Sequence, residues 1–254
     1  MGSALMAGWI DRGTAPGDIF VVDPAAPALP QGVTSGASID DLPRDFRPAV
    51  VVLAVKPQVM DAVVPPYASL VGAETVFLSI AAGRNVKSFE HLLGSGAAIV
   101  RAMPNTPAAV GRGITVLYAN GHVSDVQRET CQTLLSAVGE VAWIEDEGLM
   151  DAVTGVSGSG PAYVFHLVEA MAEAGVTAGL PPELAMSLAR QTVAGSGELL
   201  AQSAETASTL RENVTSPGGT TAAALDVLMA EDGLARLMTT AILRATARSR
   251  ELAG

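Results

Sequence analysis

Four stretches of this chain combine turn-forming residues with polar groups at spacings that could hold a small charged ligand. Asn213-Val214-Thr215-Ser216-Pro217-Gly218-Gly219-Thr220-Thr221 lies between two helical stretches and should present unpaired amides at the start of the second helix. Converging amides suit a carboxylate, although a plain helix–loop–helix turn would explain the two glycines equally well. Thr154-Gly155-Val156-Ser157-Gly158-Ser159-Gly160-Pro161-Ala162-Tyr163 is a glycine-rich turn running into a helix, with Pro161 at or near its first position. Ala54-Val55-Lys56-Pro57 and Arg101-Ala102-Met103-Pro104-Asn105-Thr106-Pro107 each follow an apolar strand, where open parallel sheets bind ligands. Their prolines fix the backbone as it turns, and Lys56 and Asn105 can donate hydrogen bonds. Either segment taken alone could equally be an ordinary loop.

The opening residues Met1 to Gly8 read like the tail of a Gly-x-Gly-x-x-Gly turn, with Gly2 as the last glycine, where helix and sheet pack closely. Asp23 ends the next strand about twenty residues later, where an acid would hold a ribose hydroxyl. Such an acid repels a 2′-phosphate and favours NADH. The first strand and the two earlier glycines have no counterpart, so the expectation is an N-terminally truncated dinucleotide-binding domain with part of its pyrophosphate cradle missing.

These segments need a scaffold, and the apolar rhythm supplies one. Strands are expected over Ile19 to Val22, Ala49 to Val55, Thr75 to Ile80, Ala98 to Arg101, Ile114 to Ala119 and Val141 to Ile144. Helical stretches alternate with them. Ser124 and Gln127 resemble a capping box, opening a helix that ends near Gly139 and crosses over between the last two strands. The pattern is α/β: a Rossmann-like doubly wound parallel sheet, its first strand absent from this chain, over residues 1–148. Residues 149–254 change to a period near 3.6 and read as an all-α dimerisation domain. Val164, Leu167, Val168, Met171 and Gly175 share one helical face; Ala185, Leu188, Ala189, Thr192, Val193 and Ser196 share a second; Leu234, Leu237, Met238, Ala241 and Ile242 a third. All three are expected to be core. So many apolar positions in about a hundred residues would pack more completely against a second copy, so a homodimer is expected.

Composition removes several classes. A formal charge of −11 disfavours nucleic acid or anionic membrane as a partner. No apolar run is long enough to span a bilayer, and no leader pattern is present, so a cytoplasmic protein is expected. Cys131 falls on an apolar stripe with Gln127, Leu134, Leu135 and Val138 and reads as a packed thiol. His91, His122 and His166 are scattered, read as surface or packing residues, and with one cysteine they make no metal cluster.

Taken together, the Val-Lys-Pro loop, the Arg-x-Met-Pro-Asn segment, the Ser-Gly-Ser-Gly-Pro-Ala-Tyr turn and Ser-Pro-Gly-Gly-Thr-Thr, in this order and spacing, resemble the pyrroline-5-carboxylate reductases. The resemblance implies reduction of 1-pyrroline-5-carboxylate to L-proline, a small imino acid substrate, with NADPH or NADH, in a homodimer or an assembly of dimers. It implies that amides of Ser216, Gly218, Gly219, Thr220 and Thr221 bind the substrate carboxylate and that the Thr221 hydroxyl is the catalytic group beside the ring nitrogen. Ala54, Val55, Lys56, Pro57, Ala81, Ala82 and Asn105 would line the cofactor, with Asn213 reaching it from the helical half. Glu147 is a further substrate-site candidate, with a solvated acid in the Glu145-Asp146-Glu147 run as the alternative. Two competing readings are a non-catalytic dimeric binding protein and a related β-hydroxyacid dehydrogenase. The latter needs a lysine on a helix of the second domain, and both lysines, Lys56 and Lys87, lie before it.

Overall fold

A computed structural model describes residues 1–253. The chain forms two units, one made of Met1–Gly158 together with the residues from Thr246 onward, the other of Ser159–Ala245. This division falls ten residues beyond the sequence boundary at 148/149.

The first unit contains α1 (Gly2–Asp11), β1 (Phe20–Val22), β2 (Thr34–Gly36), β3 (Val50–Leu53), α2 (Met60–Val63), β4 (Val76–Ser79), α3 (Val86–Leu93), β5 (Ala98–Met103), β6 (Gly113–Ala119), α4 (Asp125–Ser136), β7 (Gly139–Trp143) and α5 (Met150–Val153). Strands β3 to β7 form one sheet in sequence order, and β1 pairs with β2 in a separate parallel ribbon. Every residue of β4 is buried, as for a strand covered on both faces. One face packs Leu5 of α1 and Cys131 and Leu135 of α4 on Leu78, Val100 and Leu117. The other packs Met60 of α2 and Phe89 and Leu93 of α3 on Leu53, Phe77 and Ile99. Helices on both faces make the sheet doubly wound. The capping box opening α4 is present, with Ser124 Oγ accepting from the Gln127 amide at 3.3 Å and Gln127 Oε1 from the Ser124 amide at 2.9 Å.

Two features depart from the sequence reading. The sheet is not wholly parallel, because β6 runs antiparallel to β5. Residues 104–112 joining them are too few for the crossover that a parallel pair requires, so the chain reverses. Strand β2 was not expected; Thr-Ser-Gly has no apolar alternation and forms a strand only by pairing with β1.

The second unit contains α6 (Gly160–Thr177), α7 (Pro182–Gln202), α8 (Ala207–Asn213), α9 (Thr220–Leu228) and the first part of α10 (Leu234–Ala253). Helices α6 and α7, joined by residues 178–181, run antiparallel and bury Ala172, Ala185 and Ala189. The expectation that the three apolar stripes are core is corrected: Val164, Leu167, Met171, Leu188, Leu234 and Leu237 are exposed on the chain by itself. Only small alanines are covered where the two helices meet, and the large side chains project outward.

The glycine-rich turn takes an unexpected form. Thr154–Gly158 winds as a π-helical segment before α6 begins, with the Thr154 and Ser157 hydroxyls donating to the carbonyls of Met150 and Val153 at 2.9 and 3.0 Å. Pro161 is the second residue of α6. Beyond Ala245, α10 returns to the first unit, where Thr246 and Ser249 are buried and Ser249 Oγ donates to Asp151 Oδ1 at 2.6 Å.

Candidate functional site

The loops that leave β3, β4 and β5 emerge from three neighbouring parallel strands, at the same carboxyl edge of the sheet. Ala54 and Lys56 are exposed and Val55 and Pro57 half-buried; Lys56 is extended and Pro57 begins a short 3-10 turn. Ala81 is buried and Ala82 exposed after β4. Arg84, which the sequence reading did not single out, ties these two loops together. It donates to the Pro57 carbonyl at 3.0 Å and forks onto both carboxylate oxygens of Asp61 at 2.9 and 3.0 Å. After β5, Asn105 is half-buried, and its Oδ1 accepts from the Ile114 amide at 3.0 Å. Among the described residues its carboxamide nitrogen makes no hydrogen bond within the chain, which leaves it able to donate to a ligand.

Gly2 opens α1 with no side-chain cap, so the first helical amides are left unpaired. A Cβ on Gly2 would stand 3.4 Å from that of Ala54, an ordinary contact, so the helix start lies directly against the loop after β3. Asp23 follows β1 directly, and its Oδ1 accepts from the Ala25 amide at 2.9 Å, a turn that orients the carboxylate at the strand end. The first unit therefore brings Ala54 to Pro57, Ala81, Ala82 and Asn105 to one edge of one sheet. It offers small side chains, turned backbone and hydrogen-bond donors, a surface suited to a flat, polar-edged ligand such as a dinucleotide.

Glu147 is not a free solvated acid. Its Oε1 accepts from Arg101 Nη1 and from the Val86 amide, both at 2.9 Å. Arg101, on β5, is the one charged side chain among the buried described residues. Burying a guanidinium requires a paired acceptor, and Glu147 provides it.

In the second unit, Thr215 Oγ1 donates to the Arg211 carbonyl at 2.6 Å and closes the end of α8. Ser216 to Gly219 then make a tight turn in which the Gly219 amide donates to the Ser216 carbonyl at 3.0 Å. Pro217 and Gly218 occupy its centre, and Gly218 has φ of +68°, a conformation that a side chain disfavours. Gly219 is the N-cap of α9 and supplies no side-chain acceptor. The amides at the head of this helix are thus unpaired and lie at the positive end of its dipole. Among the described residues, no hydrogen bond within the chain involves the hydroxyls of Ser216, Thr220 or Thr221; Thr220 is exposed and Thr221 half-buried. Asn213, at the end of α8, donates to Glu205 Oε2 at 3.1 Å. No sequence pattern had marked Glu205.

Cys131 is buried, and burial pushes its thiol up to about 12, which keeps it protonated and unreactive. His166 lies exposed beside Glu169 at 3.1 Å. Among the described residues, no group of three or more His, Cys, Asp or Glu side chains is placed to hold a metal, and no helix is long and apolar enough to cross a membrane. Two open grooves, of about 660 Å³ along α7 and about 540 Å³ beside α3, include none of the candidate residues.

Comparison with known proteins gives consistent results. A family model described as pyrroline-5-carboxylate reductase dimerisation matches residues 147–252. The pyrroline-5-carboxylate reductase of Pseudomonas aeruginosa is 47% identical over a stretch covering 80% of this chain and 74% of that protein. That of Mycobacterium tuberculosis is 39% identical and aligns with 99% of this chain and 93% of its own. Among solved structures, the pyrroline-5-carboxylate reductase of Coxiella burnetii superposes with a TM-score of 0.88 at 34% identity, covering 100% of this chain and 95% of that one. The Plasmodium falciparum pyrroline carboxylate reductase, solved with NADP bound, superposes with a TM-score of 0.81 at 30% identity over 100% and 95% of the two chains.

Proposed function

This chain belongs to the pyrroline-5-carboxylate reductases, and from that membership we propose how its own residues divide the work. The enzyme reduces 1-pyrroline-5-carboxylate to L-proline in proline biosynthesis, as a homodimer. Bound NADPH or NADH supplies the hydride to the carbon of the ring C=N bond.

The observation that carries the substrate assignment is the head of α9. Amides of Ser216, Gly218, Thr220 and Thr221 hold the substrate carboxylate, and Gly219, whose own amide is spent on the Ser216 carbonyl, closes the turn that gathers them. Thr221 is the catalytic residue. A protonated ring imine is already electrophilic, so the residues beside it need mainly to orient it. A threonine hydroxyl is too weak an acid to give up its own proton unaided, and Thr221 instead hydrogen-bonds the ring nitrogen and relays to it, from water, the one proton that makes the imine electrophilic before hydride arrives.

Cofactor binding is assigned to residues 1–148 and substrate binding with dimerisation to residues 149–254. Gly2 allows the backbone close to the cofactor; Ala54, Val55, Lys56, Pro57, Ala81, Ala82 and Asn105 line it, and Asn213 is assigned to cofactor binding as well. Asp23 holds the ribose hydroxyls and tilts the choice toward NADH. The exposed apolar stripes of α6, α7 and α10 are the surface a second copy covers, and the dimer is the unit of larger assemblies in the cytoplasm. Oxidation of NADH or NADPH on addition of pyrroline-5-carboxylate, with proline as the product, tests this function. A folded enzyme that binds the dinucleotide yet forms no proline would refute it.

A further inference from the structure

We infer that Glu147 is a positioning residue, whose single carboxylate oxygen, shared between Arg101 and the Val86 amide, sets the spacing of the two loops that line the dinucleotide. The inference rests on the assignment of the loops after β4 and β5 to the cofactor.

The three partners come from three places. Arg101 lies on β5, two residues before Met103 and four before Asn105. Val86 is the first residue of α3, directly after the loop that carries Ala81, Ala82 and Arg84. Glu147 stands 46 and 61 residues away in sequence, so the contact is a purely tertiary one. Both bonds are 2.9 Å and converge on Oε1. The Val86 amide is one of the donors at the positive end of the α3 dipole, so a carboxylate suits it better than a neutral acceptor. A shift of either loop must lengthen one of the two bonds, and the oxygen thereby couples one loop to the other.

Stability alone does not explain such a pair. A buried ion pair replaced by apolar side chains of similar volume often leaves a protein as stable as before. What apolar replacement removes is the fixed direction of the hydrogen bonds. Arg101 uses only Nη1 toward Glu147, so a lysine can preserve the charge and the bond, whereas a methionine preserves only the bulk.

The test uses the whole enzyme and four variants: Arg101→Lys, Arg101→Met, Glu147→Gln and the double Arg101→Met/Glu147→Gln. Dinucleotide affinity is read by titration of NADH and NADPH fluorescence, and KM for pyrroline-5-carboxylate is read at saturating cofactor. The expected result is a rise in dinucleotide Kd of about tenfold in Arg101→Met and in Glu147→Gln, the scale on which residues away from a ligand modulate its binding. The double variant should be no weaker than the weaker single, because both substitutions break one linkage. Arg101→Lys should stay near the parent, and KM for pyrroline-5-carboxylate should hold in every variant. If a single variant leaves a buried charge unpaired and fails to fold, the double variant, which leaves none, and Arg101→Lys still decide the matter. Unchanged dinucleotide Kd beside a lowered Tm would mark a structural pair and overturn the inference. So would a raised KM for pyrroline-5-carboxylate in Glu147→Gln with Arg101→Met silent, which would make Glu147 a substrate ligand. A parent enzyme that binds neither dinucleotide would overturn the cofactor assignment itself, and the inference with it.

Discussion

Replacing Thr221 by alanine should lower kcat/KM for pyrroline-5-carboxylate while leaving both dinucleotide affinity and the fold intact. Thr221 is the second residue of α9, half-buried, and among the described residues its hydroxyl has no hydrogen-bond partner within the chain. Its removal therefore strands no donor or acceptor in the fold. Alanine is also a better helix former than threonine by a few tenths of a kcal/mol, so Tm should hold or rise slightly. The cost falls on the reaction. A hydrogen bond between the Thr221 oxygen and the ring nitrogen contributes about 1 kcal/mol, rising to about 3 when that nitrogen is charged or left unpaired, equivalent to roughly a five-fold to a hundred-fold loss in rate. Thr220→Ala is the control: Thr220 is exposed at the first position of the same helix and serves through its amide, which alanine retains. Steady-state kinetics of both variants, with dinucleotide titration alongside, rank the two hydroxyls. Parent-level kcat/KM in Thr221→Ala together with a crippled Thr220→Ala would refute the reasoning, because the wrong threonine would have been set against the imine.

Asp23→Ser should narrow a preference for NADH, read as the ratio of kcat/KM for the two cofactors; a parent enzyme that already strongly prefers NADPH would contradict the role given to Asp23. Gly218→Ala forces a side chain into a backbone at φ of +68°, and the cost of about 1 to 2 kcal/mol should raise KM for pyrroline-5-carboxylate roughly five-fold to thirty-fold. Phe165→Glu combined with Leu237→Glu, each placing a charge where a large apolar side chain is exposed, should shift light scattering from dimer to monomer; an unchanged dimer would put the interface elsewhere. Cys131, its pKa raised to about 12, should resist thiol reagents until the protein is unfolded. The fold favours the protonated thiol, so this contribution to stability is complete below the ordinary thiol pKa and declines as pH climbs from there toward 12, which thermal melts across alkaline pH would follow.

The chain's strands were largely legible because each carries its own apolar run: β3, β4, β5 and β6 lie within a few residues of where branched residues cluster. Strand β2 was not, since Thr34 to Gly36 owe their conformation to β1 and not to their own side chains. The reversal between β5 and β6 could have been read from the shortness of residues 104–112, a constraint of chain length and not of residue type. In the loops after β3 and β5 and before α9, Pro57, Asn105 and Gly218 stand out by turn chemistry alone. Arg84 went unmarked, and Arg101 stood out as part of its motif but not as the partner of Glu147, because the groups they meet, Pro57 and Asp61 for one and Glu147 for the other, are distant in sequence and no periodicity encodes such a meeting. The helical half gave the opposite difficulty. Its stripes are apolar at helical spacing whether their cover is the same chain or another, and only the exposure of residues such as Leu167 and Leu237 separates the two cases.

The return of α10 to the first unit sets an order of events during synthesis. Asp151 and Met150 leave the ribosome well before Ser249, with residues 159–245 between them, so the first unit waits for a segment made after the whole of the second. The wait bears on Gly83 as well, in the same loop as Ala81 and Ala82: its φ is +71°, and a Cβ placed on it would stand 3.4 Å from the Leu252 carbonyl oxygen. A nascent chain paused before Thr246 would therefore hold a sheet whose loop after β4 still lacks its contact with α10. Stop codons or frameshifts that remove only the final helical turns should consequently harm dinucleotide binding at the opposite end of the sequence before they harm the helical unit they interrupt.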